Sequence, residues 1–356
     1  MRVVVTDADY KLTLGAIRSL GRRGVEVVAL AGRPRALGFA SRYAAERVVA
    51  PPPDDEERFA AFVAEQRADA VLPIGQASVR ALVHHPPPQP APLPDREAFA
   101  VADSKARTLE LARELGVPTP RPADAFPAVA KSSTGSGDVR YVASADEVPE
   151  GWLLQEYVEG EGRGLFALMD RGEPRALFMH RRLREYPITG GASTAAESID
   201  DPVLRELGLR LLQALRWHGV AMVEFKRRSD GSYVLMEINP KFWGSLDLAI
   251  AAGVDFPWLA VQLATGQPFE PVRSYAVGVR FQWVFPDLLH AAARPRDLPQ
   301  FALDLVRAQH DLDRSDLRPS AREAPATARA IVTRALNGSL RHPHGVPQRT
   351  RTGPRT

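Results

Sequence analysis

The sequence predicts a mixed α/β and α+β protein, in which an N-terminal parallel, Rossmann-like sheet precedes a strand-rich region. Strand-like and helix-like patterns alternate through residues 1–83. Six prolines in the stretch PPPQPAPLP, residues 86–94, then interrupt regular structure. From residue 127 onward, short strand patterns are separated by glycine-containing turns. A chain of 356 residues with these features is expected to form two to three domains.

The N-terminal region is predicted from its hydrophobic periodicity. Apolar runs at residues 3–5, 25–30 and 69–73 indicate strands, whereas residues 12–20 and 59–64 have apolar positions at helical spacing. Because strands that alternate with helices pair in parallel, we expect one parallel sheet here. No G-x-G-x-x-G follows the first strand, so a dinucleotide site is not predicted. The proline-rich stretch is expected to be an extended linker.

The remaining elements follow from caps, turns and alternation. Ser104 is expected to cap a helix that ends near residue 115. Strands are predicted at residues 127–132, 138–142, 152–157, 164–170 and 174–184, and an amphipathic helix at 202–217. Residues 220–226 and 233–238 form a predicted hairpin around Ser229-Asp230-Gly231, and two short helices follow, at 245–252 and 256–265. The predicted boundaries lie at residues 94, 285 and 340, and residues 341–356 are predicted to be a disordered basic tail.

Composition excludes several classes of function. The chain has no cysteine, which excludes thiolate metal sites and a cysteine nucleophile. No apolar run reaches the ~18 residues of a membrane span, and the first residues lack the apolar segment of a signal peptide, so a cytoplasmic location is expected. From Arg318 onward the charge is +7, against −4 for the rest. This end is either a solvated tail or an arm for nucleic acid or anionic lipid. It lacks interleaved aromatics, so neither nucleic acid nor a membrane is a predicted partner.

The strongest chemical signal is the hairpin GVAMVEFKRRSDGSYVLMEINPKFWGS. Glu237 and Asn239 lie two residues apart on its second strand, so they share a face, and antiparallel pairing can bring Glu224 beside Glu237. Two carboxylates and an amide oxygen form a hard-oxygen set that suits magnesium on nucleotide phosphates. The alternative is that both glutamates face solvent on the sheet, because the alternation fits either arrangement.

Three further segments carry weaker signals. Lys131 ends a strand and precedes a loop rich in Gly, Ser and Thr that could close over phosphates, although it is not a Walker A loop and could be an ordinary hairpin turn. The sequence LLQEYVEGE, residues 153–161, is by itself an ordinary strand end. In HRRLR, residues 180–184, alternation predicts that His180, Arg182 and Arg184 share a face, which is either an exposed basic strand or a site for phosphoryl and carboxylate groups.

Taken in this order, the segments resemble the ATP-grasp superfamily over about residues 1–285. Within it they look most like the carboxylate–amine ligases similar to the carbamoyl-phosphate synthetase large chain. The stretches HRRLREYPITGGAST and MEINPKFWGSLDLAIAAGVDFP carry this likeness. The resemblance implies an N-terminal Rossmann-like domain over residues 1–94, a two-lobed ATP-grasp domain over 95–285 with its small lobe at about 120–158, and a C-terminal helical extension over 286–340.

The resemblance also implies the ligand-binding residues. ATP would be bound by both lysines, the phosphate loop and the adenine hinge, and Mg²⁺ (or Mn²⁺) by the hairpin set. The implied nucleotide residues are Lys105, Lys131, Ser133, Gly135, Ser136, Gly137, Gln155, Glu156, Tyr157 and Val158, with backbone groups of Glu156 and Val158 contacting the adenine edge. The implied metal ligands are Glu224, Glu237 and Asn239. Arg182, Arg184 and Lys241 are the implied catalytic cations.

The sequence departs from the superfamily pattern at three positions. Gly162 occupies the usual position of the acid that binds ribose, and Glu161 is the candidate replacement. Lys241 stands where the E-x-N-P motif commonly continues with arginine, and a lysine cannot make the bidentate contact of an arginine. Met222 stands where some amino-acid ligases have a catalytic arginine. These departures limit the transfer of residue roles from the superfamily to this chain.

The predicted activity is ATP- and Mg²⁺-dependent ligation of a small-molecule carboxylate to an amine through an acylphosphate. Two alternatives stay open at this point. One is carboxyphosphate chemistry on bicarbonate, and the other is an ATP-binding regulatory protein without turnover. The sequence does not name either substrate, and it leaves the oligomeric state open, a homodimer included.

Overall fold

The computed structural model describes residues 1–133, 139–188 and 190–341. Their strands form three sheets: a four-stranded parallel sheet, a small three-stranded antiparallel sheet and a seven-stranded sheet. The predicted fold class is therefore confirmed, and the predicted domain boundaries remain predictions. None of the helices in the described ranges combines the length and apolarity needed to cross a lipid bilayer.

The N-terminal sheet has the strand order β3-β2-β1-β4, with all pairs parallel. Its buried strands are almost entirely Val, Ala and Leu, as expected for strands covered on both faces. The prediction missed β3, whose sequence AAERVV is largely exposed and lacks a clear apolar pattern, and also the helices α3 and α4. The elements of this region are β1 (Arg2–Val5), α1 (Lys11–Arg22), β2 (Glu26–Ala31), β3 (Ala44–Val49), α2 (Glu56–Ala64), β4 (Ala70–Leu72), α3 (Gln76–His84) and α4 (Arg96–Asp103).

The small sheet follows the capped helix α5. The Ser104 hydroxyl accepts a hydrogen bond from the backbone N–H of Arg107, which confirms the predicted cap. The backbone N–H of Lys105 then donates to the carbonyl of Ser133 at 2.9 Å, so the start of α5 is tied to the loop that leaves β5. These elements are α5 (Lys105–Glu114), β5 (Ala128–Lys131), β6 (Val139–Val142) and β7 (Leu153–Gln155).

The large sheet has the order β12-β11-β8-β9-β10-β13-β14, antiparallel except for the last pair. The predicted hairpin is present as β11 and β12, whereas the prediction missed β10. Its elements are β8 (Glu161–Asp170), β9 (Glu173–Tyr186), β10 (Ala192–Ser198), α6 (Pro202–Ala214), β11 (Gly219–Arg227), β12 (Tyr233–Asn239), α7 (Leu246–Ala251), α8 (Phe256–Ala264), β13 (Arg280–Gln282), α9 (Val284–Ala293), α10 (Leu298–Arg307), β14 (Gln309–His310) and α11 (Arg318–Leu336).

The two faces of the large sheet pack into different cores. On one face, Phe166 belongs to a core shared with the N-terminal sheet and with α7 and α8. On the other face, Leu165 packs in a separate core with α6 and the hairpin. The N-terminal region and α6 therefore lie on opposite faces of the large sheet. By the alternation along β8, Gly164 and Gly162 lie on the same face as Phe166, toward the N-terminal region.

Candidate active site

A cavity of about 410 Å³ lies between the small sheet and the face of the large sheet that carries Phe166. Its wall is built from the ends of β5 to β7, from the middle of β9, β11 and β12, and from the segments that precede β10 and α7. The lining residues are Pro120, Val129, Lys131, Val139, Tyr141, Gln155, Glu156, Tyr157, Val158, His180, Arg182, Gly190, Gly191, Ala192, Ser193, Met222, Glu224, Lys226, Met236, Glu237, Asn239, Lys241, Trp243, Gly244 and Ser245.

The predicted metal set lies together on this wall. Glu224 on β11 is directly opposite Glu237 on β12, and Asn239 is opposite Met222. The ladder shifts register between these pairs and the pair Phe225–Leu235, so the strand β12 has an extra residue there. Because of this bulge, Leu235 stays in the core with α6 while Glu237 faces the cavity. Strict alternation would have put both on one face.

The chemistry of this set fits a hard cation. Opposed residues of an antiparallel pair have Cβ atoms about 5 Å apart, so two carboxylates there repel each other unless a cation neutralises them. The Asn239 amide N–H donates to a Glu237 carboxylate oxygen at 2.7 Å, which leaves the amide oxygen as the group that could accept a cation. Among the described residues, no three Asp, Glu or His side chains lie close enough together to bind a metal ion. The Asn239 amide oxygen would therefore have to be the third ligand beside Glu224 and Glu237.

Both predicted nucleotide lysines lie next to these acids. The Lys105 ammonium is 3.8 Å from a carboxylate oxygen of Glu237. Lys105 does not itself line the cavity, but Glu237 does. Lys131 lines the cavity at the end of β5. Burial lowers the pKa of Lys131, while the carboxylates of Glu237 and Glu224 act in the opposite direction. The structure thus gathers two ammonium groups and two carboxylates around one space.

The predicted phosphate loop begins at this point. The carbonyl of Ser133 accepts a hydrogen bond from the backbone N–H of Lys105, at the start of α5. Gly135, Ser136 and Gly137 lie outside the described residues, so the predicted contacts of this loop with phosphate remain predictions.

The predicted adenine hinge, Gln155 to Val158, also lines the cavity. The Glu156 side chain is held by the guanidinium groups of Arg121 at 2.7 Å and Arg228 at 2.9 Å. The Glu156 N–H donates to the carbonyl of Arg121, so the carbonyl of Glu156 and the N–H of Val158 are the candidates for contacts with an adenine edge. The Tyr157 ring meets the Tyr141 ring edge-on, with centroids 5.8 Å apart.

Arg182 extends across strand β8 to reach the metal set. It starts on β9, and its guanidinium lies 2.7 Å from a carboxylate oxygen of Glu224 on β11. Gly162 is the β8 residue beneath it, and a Cβ atom there would be only 2.8 Å from the Arg182 Cδ atom. Burial opposes the charge of Arg182, but Glu224 and Glu185 outweigh it and raise the pKa of Arg182. The glycine at the usual position of the ribose acid thus leaves space for this arginine.

Glu161 does not reach the cavity, which corrects its prediction as a replacement ribose ligand. Alternation along β8 places it on the face opposite to Gly162. There its carboxylate is 2.9 Å from the guanidinium of Arg163, which also contacts Asp201 at 2.8 Å.

Arg184 is the second correction. The ladder between β9 and β10 pairs Arg182 with Ala196 and Arg184 with Ala195, so Leu183 is an extra residue and alternation fails. Arg184 turns away from the cavity and is buried between Asp287 on α9 and Asp304 on α10, at 2.7 Å from each. It therefore joins the sheet to the C-terminal helices and does not line the candidate site.

Lys241 lines the cavity just after β12, as expected for the third predicted cation. Burial lowers its pKa, and the carboxylates of Glu237, Glu224 and Asp7 oppose this shift. Asp7 follows β1, so the carboxyl end of the N-terminal sheet contributes to the field at this site.

Sequence analysis did not single out Lys226, which also lines the cavity and donates to the carbonyl of Gly160 at 3.2 Å. Alternation along β11 could have identified it, because Met222, Glu224 and Lys226 share one face. Three lining residues have a buried polar atom without a hydrogen-bond partner in the described part of the chain: Gln155 Oε1, His180 Nδ1 and Trp243 Nε1. Such atoms are costly to bury, so these three are candidates for contacts with polar groups of a ligand.

Comparison with known proteins agrees with this geometry. Residues 149–285 match the family described as "ATP-grasp in the biosynthetic pathway with Ter operon". No curated protein matches the sequence. The matched segment contains the hinge, β8 to β12 and the metal set, and ends at the start of α9.

Solved structures show the same fold at low sequence identity. The biotin carboxylase domain dimer of 2-oxoglutarate carboxylase from Hydrogenobacter thermophilus, in complex with MgADP and bicarbonate, is 17% identical, with a TM-score of 0.59 over 78% of this chain and 73% of that one. N5-carboxyaminoimidazole ribonucleotide synthetase from Thermotoga maritima is 16% identical, with a TM-score of 0.56 over 78% and 79%. L-amino acid ligase from Bacillus licheniformis is 16% identical, with a TM-score of 0.58 over 76% and 75%. Residues 149–285 are therefore similar to an ATP-grasp family, and the fold of the chain is shared with these solved enzymes.

Proposed function

We propose that this chain is an ATP- and Mg²⁺-dependent ligase that activates a carboxylate as an acylphosphate and joins it to an amine. The observation that carries the proposal is the convergence of Glu224, Glu237 and Asn239 with Lys131 on one cavity wall. The fold is shared with N5-carboxyaminoimidazole ribonucleotide synthetase and L-amino acid ligase, which supports ligation as the reaction class.

Each part of the cavity takes one part of ATP in this proposal. The hinge at Gln155 to Val158 holds the adenine, and the ammonium groups of Lys131 and Lys105 face the phosphates. Glu224, Glu237 and Asn239 would hold Mg²⁺, which would neutralise the phosphate oxygens and orient the terminal phosphoryl group. The protein's own contribution is positioning and charge, because phosphoryl transfer needs little covalent help.

The first step forms one bond and breaks one. A carboxylate oxygen of the substrate attacks the γ-phosphorus of ATP, the bond from that phosphorus to the β,γ-bridging oxygen breaks, and ADP leaves with the electron pair. Arg182 lies beside the metal set and would steady the carboxylate and the transferring group. In the second step the amine nitrogen attacks the acyl carbon, phosphate leaves with the electron pair, and the amine loses a proton.

The test is carboxylate-dependent release of ADP by the purified protein. ATP and Mg²⁺ are supplied with a panel of carboxylates, and hydroxylamine replaces the unknown amine, because it converts an acylphosphate into a stable hydroxamate and phosphate. We expect ADP and hydroxamate to appear together, and only with a carboxylate present. Failure to bind ATP, or ADP release that no carboxylate stimulates, would contradict the proposal.

A Glu237→Gln variant sharpens this test. Loss of one metal ligand should lower turnover about 100-fold or more, since several kcal/mol of charge stabilisation disappear. Glu65→Gln, at an exposed position, is the matched control and should leave turnover unchanged. If the Glu237→Gln variant kept full turnover, the proposed metal site would be wrong.

Bicarbonate is a second candidate for the carboxylate, since a structure of the same fold was solved with MgADP and bicarbonate. In that case the activated species is carboxyphosphate. ADP release that bicarbonate stimulates, and that organic acids do not, would favour this alternative. A protein that binds ATP and shows no stimulated release with any carboxylate would instead fit the regulatory alternative.

A further inference from the structure

One end of the cavity differs in character from the phosphate-facing part. It is formed by Met222, His180, Trp243 and Ser245, which we call the neutral end. The rings of His180 and Trp243 both pack on Phe166, with centroid distances of 4.6 Å each. His180 and Trp243 are 1% and 2% exposed, so the neutral end is a firmly packed wall.

The neutral end has no ionised side chain among the described residues that form it. Burial, with a further contribution from Arg182, lowers the pKa of His180 to about 3, so its imidazole is uncharged near neutral pH. The acids on adjacent strands already have cations beside them: Glu224 is 2.7 Å from the Arg182 guanidinium, and Glu237 is 3.8 Å from the Lys105 ammonium. A ligand group here would therefore meet no carboxylate that could pair with a positive charge.

The neutral end nevertheless offers hydrogen-bonding groups. The Trp243 indole N–H and the His180 Nδ1 atom are buried and have no partner in the described ranges. The His180 Nε2 atom is 2.6 Å from the Ser245 hydroxyl, which fixes the orientation of the ring. An indole N–H can only donate, and a hydroxyl can donate and accept, so this surface suits an uncharged oxygen such as a hydroxyl or an amide carbonyl.

We propose that the neutral end is the acyl subsite, and that it selects carboxylic acids whose substituent next to the carboxyl group is uncharged and bears oxygen, such as 2-hydroxy acids or N-acylated amino acids. This inference rests on the proposed ligase function. The cations Arg182 and Lys241 line the same cavity and attract the carboxylate. A free α-ammonium group would lose water without gaining an acid, and both cations would repel it.

The experiment compares matched acids that differ at one position. Each set contains an unsubstituted acid, its 2-hydroxy acid, its 2-amino acid and the N-acetylated amino acid, starting from three carbons and increasing in size. Hydroxamate formation with ATP, Mg²⁺ and hydroxylamine gives kcat/KM for each acid. Within a set, we expect the 2-hydroxy or N-acetyl acid to exceed the free amino acid by about 100-fold or more, because the amino acid must bury an unpaired charge.

Two variants test the subsite itself. Met222→Glu places a carboxylate at the neutral end and should shift the preference toward the free amino acid by at least about tenfold. Val203→Glu makes the same kind of change at a surface position that is 53% exposed, and it should not change the preference. His180→Phe keeps an aromatic ring but removes the polar atoms, so it should reduce the preference for the 2-hydroxy acid over the unsubstituted acid.

The outcomes separate this inference from the proposed function. Hydroxamate formation that is equal or faster with free amino acids would overturn the acyl subsite and leave the ligase proposal intact. Binding of ATP without hydroxamate from any acid would count against the ligase proposal, and this inference would fall with it. ATP affinity of each variant, measured by calorimetry, shows that the fold is retained, and His180→Phe provides a test if Met222→Glu does not fold.

Discussion

Arg182 and Arg184 are two residues apart on the same strand, yet they belong to different parts of the molecule. Arg182 lies in the candidate site and contacts Glu224, a predicted metal ligand. Arg184 lies in a buried network with Asp287 and Asp304. The bulge at Leu183 separates them. The comparison teaches that the same residue type can serve binding in one place and packing in the next, and that backbone register decides which.

The two regions also differ in what their polar groups contact. In the network around Arg184, Asp287 accepts hydrogen bonds from Thr194 and Gln282 as well as from the arginine. In the cavity, by contrast, buried polar atoms of Gln155, His180 and Trp243 lack partners in the described ranges. Unpaired buried atoms are costly in both places, since Gln282 Oε1 also lacks a partner in the described ranges, but only those that line the cavity can contact a ligand there.

The C-terminal helices contact the end of β9, which leads into the cavity wall. Besides the contacts of Arg184, the His290 ring is 2.7 Å from the carbonyl of Glu185, and the Tyr186 hydroxyl donates to the carbonyl of Leu340. These contacts hold the end of β9 next to the segment 190–193 of the cavity wall. Residues 342–356, the rest of the predicted disordered tail, lie outside the described residues.

The largest expected effect comes from breaking the buried network. Arg184→Met leaves Asp287 and Asp304 without their cation, and we expect a loss of about 3–5 kcal/mol in the free energy of unfolding. Chemical denaturation measures it. The affinity for ATP at a temperature where the variant is folded should change little. A variant as stable as the wild type would show that this network is not a structural anchor.

The reciprocal change sharpens the comparison. Arg182→Met removes a guanidinium beside the metal set and should lower kcat about 100-fold, the size expected for loss of one preorganised charge at the reacting group. Its free energy of unfolding should change much less than that of the Arg184→Met variant, because Arg182 lies at the cavity surface. Steady-state kinetics and denaturation of both variants decide the matter. Equal stability losses would remove the distinction between the two arginines.

A smaller effect is expected from adding one methyl group beneath Arg182. Gly162→Ala would place a Cβ atom 2.8 Å from the Arg182 Cδ atom, so the arginine must shift away from Glu224. A displacement of this size should lower kcat roughly tenfold. Gly32→Ala is the control, since it adds a methyl group at an exposed position outside the cavity, where the nearest atom is 3.6 Å away. If both variants behaved alike, the path of Arg182 over Gly162 would be irrelevant to turnover.

The last prediction concerns acid stability at the neutral end. The folded-state pKa of His180 is lowered to about 3, so below about pH 6.5 the unfolded chain binds a proton there that the folded chain does not. The free energy of unfolding is therefore unaffected by His180 above pH 6.5, and it decreases as the pH falls from 6.5 toward 3. His180→Phe should reduce this loss, by at most about 1.4 kcal/mol per pH unit. Identical pH–stability slopes for wild type and variant would contradict a buried, neutral His180.

Local patterns in the sequence determined the fold class and the hairpin that carries the predicted metal set. Alternating strands and helices with apolar strands predicted the parallel sheet, and the turn Ser229-Asp230-Gly231 predicted the hairpin that pairs Glu224 with Glu237. These features depend on neighbours close in the chain, where periodicity and turn preferences act directly. The lysines and the hinge entered through the order of motifs in the superfamily, since each was a weak signal alone.

Tertiary structure decided which side chains face the cavity. The bulge in β12 turns Glu237 inward, and the bulge in β9 turns Arg184 away, although both strands read as regular in sequence. The sequence marked Gly162 only as a departure from the superfamily pattern, and the structure shows that Arg182 crosses above it. A bulge depends on pairing between strands, and a glycine beneath an arginine depends on contact between strands. The sequence alone records neither, because both are set only when distant segments pack together.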